Sequence, residues 1–235
     1  MSGFAGVALG VGALLVGFAA PYGNGIEDDP PQVIIEKGRQ TLAEAKSLRM
    51  VANATEAAGR GVMDLRLDVD GNCAGRISSP GIPGSAEVIK RGGDVWMKPD
   101  AKFLQGVLPG QTGKDAAKVV NGRWIHSTTD NPVLSDLTDF CDLNHWSDEE
   151  AWKPPGPAKK GGEAEVDGKP AIKASSSSGS ETVTYYVATE GAPYLLRVEA
   201  REEGRKAEAT FSEYGTPVPA KTPAEAESVD ASELP

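Results

Sequence analysis

The chain has 235 residues, a formal net charge of −10 and only 6% aromatic residues. A net negative chain is a poor match for nucleic-acid phosphates and gains little from anionic lipid heads. The length is enough for one substantial domain whose core rests on Val, Leu, Ile and Ala and does not depend on metal or on many disulfides.

Residues 4–20 carry no polar side chain and precede the first charge, Glu27. Four glycines make that run a poor soluble helix, and small residues at its end suit an export signal with cleavage after Ala19 or Ala20. An uncleaved apolar anchor is the alternative. Residues 21–32 are rich in Gly, Pro and Asp and read as a linker.

From Val33 to Ala58 an apolar stripe of Val33, Leu42, Ala45, Leu48 and Val51 or Ala52 predicts one long helix, ended by Gly59 and Gly61. The period then changes. Met63, Leu65, Leu67 and Val69 alternate with charged residues, the pattern of a strand with one dry face. The Asp70-Gly71 turn leads to a return strand at 73–79, and short strands follow at 87–91 and 94–98. Asp100 can cap a short helix running to Leu108. A second helix is predicted at 114–120, an extended element at Trp124-Ile125, and a third helix at 132–143.

Residues 152–162 are Pro-, Gly- and Lys-rich and read as a loop, as does the serine run 175–180. Strands are predicted at 163–166, 170–174, 182–188, 193–199 and 206–211. Residues 220–235 are acidic and Pro/Ala-rich and read as a flexible tail. The sum is an α+β domain with two antiparallel runs and helices before and between them. It lacks the strand–helix rhythm of a parallel sheet.

Two cysteines, Cys73 and Cys141, allow one disulfide in an oxidising compartment, with two separate buried thiols as the alternative. Neither has a Cys or His neighbour at zinc-site spacing. His126 and His145 would need a third partner, such as Asp130, Asp142 or Asp148, and no catalytic motif supplies one. No catalytic residue, cofactor or metal is therefore expected.

Four segments, MDLRLDVDGNCAGRIS, GSAEVIKRGGDVWMKPDAKFL, TYYVATEGAPYLLRVEA and FSEYGTPVPA, carry a resemblance. The chain resembles actinobacterial, streptomycete-type envelope lipoproteins of the LppX/LprG-like group, related in fold to the LolA/LolB lipid-handling proteins. The resemblance implies a single domain over 33–219. Its sheet would be strongly curved and antiparallel, a half-barrel with helices packed on the concave face. It also implies an extracytoplasmic, non-enzymatic protein, favoured as a monomer, that binds or transports a lipid or lipidated molecule and contacts the envelope membrane. The family's lipid-accepting cysteine has no counterpart at residues 17–23, so a secreted chain or one held by its apolar end is expected.

Trp96, Phe103, Leu104, Val107 and Leu108 are the candidate lining of an acyl cavity, the last four on the helix that would cover it. The rival reading is an envelope interaction or structural module with a filled core.

Overall fold

The computed structural model describes residues 23–131, 139–148, 150, 152–219 and 221–234. The apolar run at 4–20 and most of the helix expected at 132–143 lie outside the described residues. Helix α1 spans Pro31–Ala43, and strands β1 to β5 span Ser47–Glu56, Gly59–Asp68, Cys73–Ser78, Ala86–Arg91 and Asp94–Pro99. Helices α2 (Ala101–Val107) and α3 (Gln111–Val120) precede β6 (Trp124–Thr128), and α4 spans Leu143–Ser147. Strands β7 to β11 follow at Ala158–Val166, Lys169–Ser178, Glu181–Ala188, Leu195–Glu202 and Arg205–Ser212, with β12 at Ser228–Asp230.

All twelve strands form one sheet in the order β12-β6-β5-β4-β3-β2-β1-β11-β10-β9-β8-β7. The implied half-barrel is not what forms. The sheet is open, with β12 and β7 as separate edges; it is not strongly curled, and it is mixed, because β12 joins β6 in parallel. Strong curling relies on bulges and kinks that bend strands. Among the described residues the register breaks at Leu195/Arg197 and Lys160/Glu163, both in the β7–β10 half.

Three other sequence expectations are corrected. The long helix stops at Ala43, and Ser47–Glu56 is the central strand β1. The serine run belongs to β8, where the buried Ser176 hydroxyl exchanges hydrogen bonds with the backbone of Gly156. The C-terminal residues, read as a tail, contribute β12, and Val229 is buried there against Ile125, Leu104 and Val120.

Period-two alternation gives the sheet one dry face. Directly opposed residues share a face, so the register traces continuous rows across it. One row runs Val229, Ile125, Met97, Val88, Gly75, Leu65, Met50, Phe211. Helix α1 buries Ile34, Ile35 and Leu42 in the same core as Tyr185, Val187 and Leu195 of this face. It sits close because Gly38 has no side chain: a Cβ there would lie 2.8 Å from a methyl of Val187. Helices α2 and α3 cover the other end of the face, Leu104 and Val120 packing with Ile125, Val229 and Met97. Asp100 caps α2 as its sequence predicts, accepting from Phe103 N at 2.8 Å, and also accepts from Ser85 N at 2.8 Å.

The opposite face is wet and laced with ion pairs. Arg49 holds Asp64 through two bonds of 2.7 Å, and Arg66 holds Glu213 through bonds of 2.7 and 2.8 Å. The bidentate guanidinium geometry keeps both carboxyls below their ordinary pKa: Arg49 acts on Asp64 and Arg66 on Glu213.

Candidate functional site

The dry face changes character along β10, β11, β1 and β2. One row across these strands is Leu65, Met50 and Phe211, each at most 1% exposed. Two residues further along, the row is Met63, Ala52, Ala209 and Val198. Two further still it is Gly61, Ala54, Ala207 and Ala200. Large side chains thus give way to methyl groups and a glycine. The next row, where the hairpins turn, carries Glu56, Arg205 and Glu202 and is exposed.

Above the small residues lies a cover of aromatic rings. Phe140 stacks with Trp146, and Trp146 with Trp152, each pair 6.3 Å apart between ring centres. Trp152 meets Phe211 edge-on at 5.5 Å, joining the cover to the deep row. Between these rings and the methyl groups space is left. The result is an apolar cleft of about 430 Å³, walled by Ile77 and Pro80 on the β3 side and by Val198 and Ala200 on the β10 side. Close-packed cores leave few voids larger than one water molecule, whereas ligand sites run from roughly 300 to 1,000 Å³.

Local contacts fix the cover. The indole N–H of Trp146 donates to Phe140 O at 3.0 Å, and that of Trp152 donates to Trp146 O. The Tyr185 hydroxyl, rising from β9, donates to Trp152 O at 3.0 Å. Burial raises the Tyr185 pKa far above that of an ordinary phenol, so it remains a donor at any physiological pH. Cys141, next to Phe140, is joined to Cys73 of β3 by a disulfide with Cα atoms 5.2 Å apart, and both residues are buried. Of the two cysteine readings, the disulfide is the one that forms. Pro80 closes one side by crossing over Gly61, where a Cβ would lie 2.7 Å from its ring.

The five residues singled out in the sequence lie elsewhere. Phe103 and Leu104 are buried in the contacts of α2, Val107 is 46% exposed, and Leu108 follows the end of α2. Trp96 is on the wet face, stacked on His126 with ring centres 5.0 Å apart. None of them lines the cleft. His126 pairs with Asp94 at 2.9 Å rather than with the aspartates considered for it. Among the described residues, no group of three or more His, Cys, Asp or Glu side chains is placed to hold a metal. The wall residues missed in the sequence are Ala52, Ala54, Ala200, Ala207 and Ala209, whose signal is small residues recurring at period two.

The site is therefore an apolar cleft on an open α+β sheet. No protein-family model matches the chain, and no curated protein matches it. Two solved structures are similar in fold. LprF from Mycobacterium bovis is 14% identical with a TM-score of 0.55, covering 83% of this chain and 97% of its own. Lipoprotein LppX from Mycobacterium tuberculosis is 11% identical with a TM-score of 0.52, covering 81% of this chain and 98% of its own. The fold is related to that of these proteins, and at such identities the likeness is one of fold.

Proposed function

We propose that this is a non-enzymatic protein of the cell envelope that takes the acyl part of a lipid, or of a lipidated molecule, into the cleft between the alanine rows and the aromatic cover. The observation that carries the reading is the row Gly61, Ala54, Ala207 and Ala200 facing Phe140, Trp146 and Trp152 across about 430 Å³. Such a site offers hydrocarbon a dry surface and few polar partners. Each methylene removed from water contributes about 0.8 kcal/mol.

The compartment follows from other features. A buried disulfide fits an oxidising space outside the cytoplasm. The apolar run at 4–20 fits export or anchoring. The fold likeness includes one protein, LppX, that is itself a lipoprotein. On this reading residues 33–219 act as one binding domain. The rival module with a filled core is disfavoured by the cleft.

The test is native mass spectrometry of protein purified from its own host, with extraction and identification of any released lipid. A stoichiometric adduct lost on mild activation is the expected result. A clean mass that stays unchanged after exposure to host lipids would overturn the reading.

A further inference from the structure

The boundaries of the cleft limit what enters it. Along the strands its lining on β1 runs from Glu56, in the charged rim row, inward to Ala52, and the next row inward is that of Met50. That row has no slack, since Met50, Leu65 and Phe211 are all at most 1% exposed. The cover does not swing aside freely either. It is held to β3 by the buried disulfide beside Phe140 and to β9 by the hydroxyl of Tyr185. The volume of 430 Å³ corresponds to roughly 14 water-sized groups.

We infer that the ligand inserts a single hydrocarbon chain of medium length, and that lipids presenting two or three chains are excluded. The inference rests on the acyl-binding reading above and narrows it to single-chain amphiphiles, such as a free fatty acid or a lysolipid. The chain lies over the alanine rows with its end at the row of Met63, Ala52, Ala209 and Val198. The polar head stays outside, at the rim row of Glu56, Arg205 and Glu202. Of these, Arg205 has a carboxylate partner only at 3.8 Å, Glu202.

The test uses the delipidated full chain, titrated with saturated fatty acids of increasing length. Affinity is expected to rise about fourfold per added methylene and to level off near roughly 14 carbons. Lysophosphatidylcholine is expected to bind one to one, and the matching diacyl phosphatidylcholine at least tenfold more weakly. Ala54→Leu should move the plateau to shorter chains, with far-UV circular dichroism unchanged. Leu104→Ala, outside the cleft, should leave the plateau where it is. A diacyl lipid that binds as tightly as its lyso form, or a plateau absent across the series, would overturn the single-chain inference while leaving lipid binding intact. No binding by any of these lipids would overturn both.

Discussion

Two stretches of the same sheet face are built from the same kind of strand and end differently. Under α2 and α3, the sheet offers Met97, Ile125 and Val229, and the helices answer with Leu104 and Val120, so the space is filled. Under Phe140, Trp146 and Trp152, the sheet offers alanines and a glycine, and the space stays open. Apolar content on one side of an interface therefore does not decide whether a cavity exists. The sum of the two facing volumes does.

That contrast can be attacked by mutation. The largest expected effect comes from Cys73→Ala with Cys141→Ala. The bridge spans 68 residues of sequence, and its loss should cost about 4 kcal/mol on the chain-entropy account. Urea denaturation measures it, and an unchanged midpoint would mean that the aromatic cover is held by other contacts. Next, Leu104→Ala in the filled stretch should cost about 2–5 kcal/mol, because it leaves a hole in a packed site. Acyl binding should not change. A smaller effect is expected from Asp100→Ala, about 1 kcal/mol, because it removes the cap of α2. Smaller again is the effect of Ala54→Leu on stability, within about 1 kcal/mol, since the added methyl groups enter existing space. A strongly destabilised Ala54→Leu protein would show that the cleft has no room for them.

Acid is the mildest probe. Asp64 and Glu213 have lowered pKa values in the folded chain. Their stabilising contribution is complete above the unfolded-state values, near pH 4, and fades as pH falls through the lower folded values. The thermal midpoint should thus be flat from neutrality to about pH 5 and drop below about pH 4. Arg66→Gln should flatten part of that drop. Both pairs sit on the wet face, so acyl binding should be indifferent to them.

Much of the fold is legible in the sequence because its signals are local. The alternation from Met63 to Val69, the turn at Asp70-Gly71 and the cap at Asp100 each need only a few neighbours. The site is less legible, and one cause produced two errors. Alanine is the strongest helix former, so Ala52 and Ala54 extend a helical pattern past Ala43 and hide the central strand β1. Those alanines are also the floor of the cleft. A search for cavity walls among large apolar residues leads to Phe103 and Leu104, where space is filled. The pairing of β1 with β11, which brings Ala54 to Ala207, joins residues far apart in the chain and leaves no local trace. The open, mixed sheet was equally hidden, since the parallel pairing of β12 depends on a segment whose composition reads as a tail.

The described chain begins beside the loop that precedes β10, where Gly23 bridges Glu190 and Asn24 N donates to Thr189 O at 2.7 Å. The cleft opens at the far end of that strand, toward Glu202, roughly 24 Å away along β10. Residues 1–22 thus join the described fold at the opposite end of β10 from the opening. On the acyl-binding reading proposed above, the N-terminal attachment and the ligand's entrance are kept about the length of one strand apart.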